Sequence, residues 1–236
     1  MKKVVILTMV LSTVAWVPSF GTIAFSTGFE GPGLDANLQD PSGAFTISGT
    51  AFNTAGADRR YLSTIETSYN SVPTWTAELV FVTPTGEHGG IYYGLGSAVP
   101  DPSYYDEPSN SIFANFFHLS WHPDGMLVQK HTSGGVQTST LQAFPQFASG
   151  SPQRAIITKS GDSITFALDI NNDGGVDYTS NAYSLASDAP FLNNTNSRIF
   201  FGTTESGIQF DSLTVTPEPA TMGLMLLGVV RVLRRR

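Results

Sequence analysis

Oxygen-bearing side chains stand at alternate positions 169, 171 and 173, and again at 177, in Asp169-Ile170-Asn171-Asn172-Asp173-Gly174-Gly175-Val176-Asp177. That spacing suits a hard cation such as Ca²⁺, which gathers several oxygens around one point, and the glycine permits the sharp bend between them. Asp169, Asn171, Asp173 and Asp177 fall on the first, third, fifth and ninth positions of the calcium-loop pattern D-x-[DN]-x-[DN]-G. The twelfth position is Ser180, not the bidentate Glu. The same residue types also make a polar hairpin tip with no ion, because Asn, Asp and Gly supply turn geometry by themselves. Both readings stand at this point, with calcium the one cofactor the sequence suggests.

A second candidate is Asp101-Pro102-Ser103-Tyr104-Tyr105-Asp106-Glu107-Pro108, two aromatics set between acids. Sugar recognition uses aromatic faces against the apolar side of a pyranose and carboxylates that accept hydroxyl protons. Tyr104, Tyr105 and Asp106 are therefore candidate glycan contacts, with Trp121 and His122 beside the Pro123 turn able to extend the surface. The alternative is an ordinary surface loop whose tyrosines lie along the protein. Trp75 alternates with apolar residues and belongs in the core. His118 and His122 lie four apart, on one face if the segment is a strand; H-E-x-x-H is absent and no third ligand is near. His88 and His131 sit beside glycine turns.

No catalytic residue is identified. The seven glutamates are scattered, and there is no E-x-D-x-x-E stretch to hold a carboxylate pair on one face of a strand. G-x-S-x-G, a cysteine nucleophile and a phosphate-cradling glycine loop are also missing. A glycoside hydrolase would need Glu78 brought to Glu107 or Asp106 by folding.

The elements that position these groups are short strands. Trp75, Ala77, Leu79 and Phe81 alternate with Thr76, Glu78, Val80 and Val82; Ile164, Phe166, Leu168 and Ile170 do the same, as do Ile208, Phe210 and Ser212. Period-two patterning assigns one set of side chains to each face of a sheet. Further strands are expected at 45–48, 61–65, 91–95, 112–121, 126–131, 155–159, 176–185 and 198–203. Turns at Pro123-Asp124-Gly125, Ser160-Gly161-Asp162 and Asn172-Asp173-Gly174-Gly175 separate them. No amphipathic helix and no internal repeat interrupts the series. The expected fold is all-β, an antiparallel two-sheet sandwich. With 23 Gly, 14 Pro and no Cys in 236 residues, the chain relies on its core without disulfides.

Charge divides the chain. Lys2 and Lys3 stand at one end and Arg231, Arg234, Arg235 and Arg236 at the other; from Phe25 to Pro219 six basic residues face 19 acidic ones, a balance of −13. So acidic a middle repels nucleic-acid phosphates and argues against a nucleic-acid partner. Lys2-Lys3, the uncharged Val4–Val17 and the break at Pro18, Ser19 and Gly21 read as a secretory signal peptide over residues 1–24, cleaved after Ala24 or Gly21. At the far end Ala220 to Val230 is uncharged. Some fourteen helical residues reach only about 21 Å, against about 30 Å of hydrocarbon.

Pro217-Glu218-Pro219, the short apolar helix expected after it, and the terminal Arg234, Arg235 and Arg236 closely resemble the PEP-CTERM sorting signal of exported Gram-negative bacterial proteins. The resemblance covers residues 217–236. It implies recognition by an exosortase-type membrane enzyme, cleavage near the triplet, transient inner-membrane insertion, and release to the cell surface or exopolysaccharide matrix. The short apolar run and Arg231 inside it depart from the pattern. Residues 25–216 resemble the concanavalin A-like lectin/glucanase jelly roll. The features that carry this are the opening Phe25-Ser26-Thr27-Gly28-Phe29-Glu30, the long strand from Trp75, Gly90-Ile91-Tyr92-Tyr93-Gly94-Leu95-Gly96, the hairpin at Asp173 and the closing Phe210-Asp211-Ser212-Leu213-Thr214-Val215. The resemblance implies a glycan-binding or matrix-structural role, with extracellular polysaccharide as partner.

Overall fold

The computed structural model describes residues 25–40, 43, 45–53, 60–65, 68–83, 91–96, 116–122, 125–131, 139–144, 150–190, 192, 197–203 and 207–217. The expected signal helix, the tail beyond Pro217 and the 101–108 loop lie outside them.

The strands are, in order, β1 (Phe25–Thr27), β2 (Leu38–Gln39), β3 (Phe45–Ile47), β4 (Ala51–Asn53), β5 (Arg60–Thr64), β6 (Thr74–Val82), β7 (Ile91–Gly96) and β8 (Phe116–His122). They continue with β9 (Gly125–His131), β10 (Ser139–Phe144), β11 (Pro152–Ser160), β12 (Ser163–Asp169), β13 (Tyr178–Thr179), β14 (Tyr183–Ser184), β15 (Arg198–Thr203) and β16 (Gln209–Pro217). One sheet runs β13-β12-β11-β6-β16-β4-β3, with β1 on β16 and β14 on β12; the other runs β10-β9-β8-β7-β15-β5-β2. Every pairing in both is antiparallel.

Alternation places the core between the sheets. On β6 the odd positions Trp75, Ala77, Leu79 and Phe81 are buried and the even ones half-exposed. Ile157 on β11, Phe166 on β12 and Leu213 on β16 join them from the same sheet, while Leu62, Tyr93, Leu119 and Phe201 meet them from the other. The Phe201 and Phe210 rings touch edge-on across the gap, centroids 5.0 Å apart. A single 3₁₀ turn at Ser68–Ser71 ties the layers at one end. Tyr69 stacks edge-on against Trp75 at 5.3 Å, and its hydroxyl accepts from the Ile199 amide at 3.0 Å. Asn70 donates to the Ser197 carbonyl at 2.7 Å.

One expected strand is corrected. Residues 176–185 do not run through as a single element. They give the two-residue β13 and β14 and then a one-turn helix, α1 (Leu185–Asp188). Side chains compete with the ladder here. The Ser180 hydroxyl accepts from the Phe166 amide and donates to the Asn181 carbonyl. Ser184 caps α1, and Asp162 from the β11–β12 turn accepts from Ser184 Oγ and the Ala186 amide. Gly161, at φ +60°, supplies the left-handed first position of that two-residue turn.

The open edge on β10 is latched to this segment. A register shift between Thr140 and Gln142 re-aims the strand, and Gln142 Oε1 accepts from the Asn181 amide at 2.7 Å and the Tyr183 hydroxyl at 3.1 Å.

Candidate functional site

The predicted calcium residues fall where the sequence places them, on the β12–β13 connection. Asp169 closes β12 and is fully buried. Its Oδ2 accepts from Arg154 Nη2 at 3.0 Å and the Gly174 amide at 3.0 Å; its Oδ1 accepts from the Asp173 amide at 3.2 Å. Asn171 Nδ2 donates to Asp173 Oδ2 at 2.9 Å, Gly175 N to Asp173 Oδ1 at 2.8 Å, and Ile170 N to Asp177 Oδ2 at 2.9 Å. Asn172 and Gly174 take positive φ. A Cβ on Gly175 would stand 3.0 Å from Asp173 Oδ1, so the close approach also depends on a glycine. The oxygens are thus turned onto the loop's own amides and onto Arg154. A calcium ion would have to exchange these contacts and sit beside a fixed guanidinium. Among the described residues no three His, Asp or Glu side chains gather as a metal-holding group.

Glu78, the candidate carboxylate of the hydrolase alternative, lies on the outer face of the same sheet. It pairs with Arg154 Nη1 at 3.3 Å. Arg154 therefore bridges Glu78 on β6 and Asp169 on β12 from the strand between them. Sequence patterning did not reveal this triad, because it depends on a three-strand register.

The seven-stranded sheet carries a different feature on the face turned away from the core. Tyr61 on β5, Tyr92 on β7 and Phe200 on β15 are only 7%, 6% and 1% exposed, yet none belongs to the core cluster. Gly202 stands in register between Tyr92 and Tyr61. Their strands are two apart, about 10 Å at the backbone, but their ring centroids come within 5.8 Å. The glycine leaves the space above it free for the rings to meet. Phe200, flanked by Gly94, closes on Tyr61 at 5.8 Å. Gln129 on β9 is buried and two strands from Gly94. Sequence reasoning missed this group. Its signal is Gly94, Gly96 and Gly202 inside strands, where glycine marks a close approach.

Of the predicted glycan contacts, Trp121 lies on β8 opposite Ile91 and Met126. Tyr104, Tyr105 and Asp106 lie outside the described residues. Trp75 is fully buried, as expected. His118 and His122 share β8. Of the sorting residues, Pro217 is the last residue of β16 and pairs with Trp75; Glu218, Pro219, Arg234, Arg235 and Arg236 lie outside.

Burial also shapes three titratable groups. Burial pushes the Tyr93 hydroxyl well above the usual tyrosine range, with Glu78 and Tyr69 adding to it. Tyr183 is raised by burial and then by Asp188. Lys159, 4% exposed on the core side of β11, is lowered by burial, with Asp162 opposing.

No family model matches the chain, and no curated protein matches it. Solved structures do. The VIP36 exoplasmic/lumenal domain in its Ca²⁺/Man2-bound form has a TM-score of 0.55 at 10% identity, over 84% of this chain and 88% of that one. The Emp47p carbohydrate recognition domain has a TM-score of 0.53 at 12% identity, over 83% and 95%. A xylan beta-1,4-xylosidase from Bacillus halodurans C-125 has a TM-score of 0.56 at 12% identity, over 81% of this chain but 38% of that one. The architecture is therefore the antiparallel β-sandwich that these lectin-like and glycosidase structures share. At these identities the likeness establishes the fold.

Proposed function

We propose that this chain is an exported, non-catalytic glycan-binding protein of the cell surface or exopolysaccharide matrix, processed at its C-terminal sorting signal. The observation that supports the reading is the sandwich itself, whose solved likenesses include a Ca²⁺/Man2-bound lumenal domain and a carbohydrate recognition domain, together with the aromatic and acidic 101–108 segment of the sequence. Pyranose rings select exposed aromatic faces beside carboxylates; Tyr61, Tyr92 and Phe200 are packed against one another and not open to a ligand. Tyr104, Tyr105 and Asp106 are proposed to form that contact, with Trp121 supporting it. The Pro217–Arg236 segment supports an exosortase-type partner and transient inner-membrane association.

Glycan-array binding by the purified chain tests the reading. Binding that is lost in Tyr104→Ala/Tyr105→Ala, with the melting temperature retained, is expected. Failure of the parent chain to hold any glycan sinks the proposal and leaves a ligand-free structural surface protein. The hydrolase alternative draws on the xylosidase likeness. It gains nothing from Glu78, whose carboxylate is ion-paired to Arg154.

A further inference from the structure

We infer that the Arg154 guanidinium serves the 169–177 loop in the role a bound cation would serve, so that the loop closes without calcium. The sequence pattern of the loop is that of an ion-binding turn, in which a bound cation draws the carboxylates together. Arg154 brings a positive charge from the neighbouring strand to the first of them, Asp169. It stands in direct register with Asp169, donates to it at 3.0 Å, and is steadied from the opposite side by Glu78 at 3.3 Å. Asp169 is fully buried, and an ion pair broken at a buried site leaves a costly unpaired charge.

The loop's backbone then closes on the same carboxylate. The Asp173 and Gly174 amides both donate to Asp169, and the remaining acids accept from Ile170, Asn171 and Gly175. Calcium requires six to eight oxygens. Here the central carboxylate already has three donors, one of them a cation. The arrangement also ties the loop to the middle of the nine-stranded sheet, because Glu78 lies on β6, two strands away from β12.

The test is amide exchange and chemical shift at Asp173, Gly174 and Gly175, measured on the full chain in EDTA and in millimolar Ca²⁺. The parent protein is expected to show the same spectrum and protection in both. Arg154→Gln is expected to lose about tenfold or more of the protection at Asp173 and Gly174, since one factor of ten follows from about 1.4 kcal/mol of lost local stability. The inference is overturned if calcium shifts the parent's loop signals and Asp169→Asn abolishes that shift. It is equally overturned if Arg154→Gln keeps full protection. Should Arg154→Gln not fold, the calcium titration of the parent chain decides by itself.

Discussion

Replacing Gly202 by valine sets two effects of opposite sign against each other. In an ordinary strand the change stabilises, because glycine costs about 0.5–1 kcal/mol in backbone entropy and valine suits a pleated surface. Gly202 is not in an ordinary position. It lies in register between Tyr92 and Tyr61, whose rings meet 5.8 Å apart over it. A branched side chain there must enter the space the rings occupy. Overpacking costs about 1–3 kcal/mol, and parting an aromatic pair forfeits about 0.5–1.5 kcal/mol more. The balance is a net loss of about 1–3 kcal/mol. For a domain of this size each kcal/mol moves the melting temperature by about 2–4 °C, so Gly202→Val should melt about 2–12 °C lower. Urea unfolding should show a lower midpoint at unchanged slope. In a Tyr92→Ala background the valine should cease to destabilise, since its obstacle is gone. A valine variant that melts higher than the parent would refute the packing described for this face.

Two further outcomes follow from the buried titratable groups. Tyr93→Phe should hold or raise stability, by up to about 1 kcal/mol in chemical denaturation, because the Tyr93 hydroxyl is buried with no hydrogen-bond partner among the described residues. It should also flatten the alkaline limb: with its folded pKa raised, Tyr93 costs stability once pH passes the unfolded value near 10. Lys159 runs the other way. Its folded pKa is lowered, so its charge costs stability below that value, and stability recovers as pH rises toward the unfolded value of about 10.4. Lys159→Met should therefore melt higher at neutral pH and lose that recovery, read from melting temperatures between pH 7 and 10.

Period-two patterning made β6 and β12 legible, because one buried row per strand leaves an unambiguous trace. On β16 the expected Ile208–Phe210–Ser212 row is corrected, since a register shift between Phe210 and Ser212 switches the parity and turns Leu213 and Val215 into the core in place of Ser212. The sandwich followed from turns that carry their own chemistry, such as Gly161 at positive φ. The break-up of 176–185 was not legible. Ser184 reads equally well as strand or cap until Asp162, more than ten residues away, is known to accept from it, and Ser180 until its hydroxyl is known to accept from the Phe166 amide. The loop at Asp169 was legible as a cluster of oxygens but not as an ion pair. Its cation, Arg154, is set by the β11–β12 register, and a sequence pattern for calcium contains no term for a neighbouring strand. The aromatic group on the seven-stranded sheet was hidden for a related reason. Tyr61, Tyr92 and Phe200 alternate with core residues, and which parity faces inward is fixed only when the second sheet is in place.

The first and last strands carry a mechanical consequence. Phe25 on β1 pairs with Val215 on β16, and β16 runs on to Pro217, so the domain's two ends leave side by side at one rim of the nine-stranded sheet. The Asp169 end of β12 lies at the other rim, level with Val80 on β6. A tether at Pro217 would hold the domain by an interior strand flanked by β6 and β1. Drag on the far rim would then load those ladders in shear, with many hydrogen bonds resisting together. The 169–177 loop would be carried on the rim away from the point of attachment.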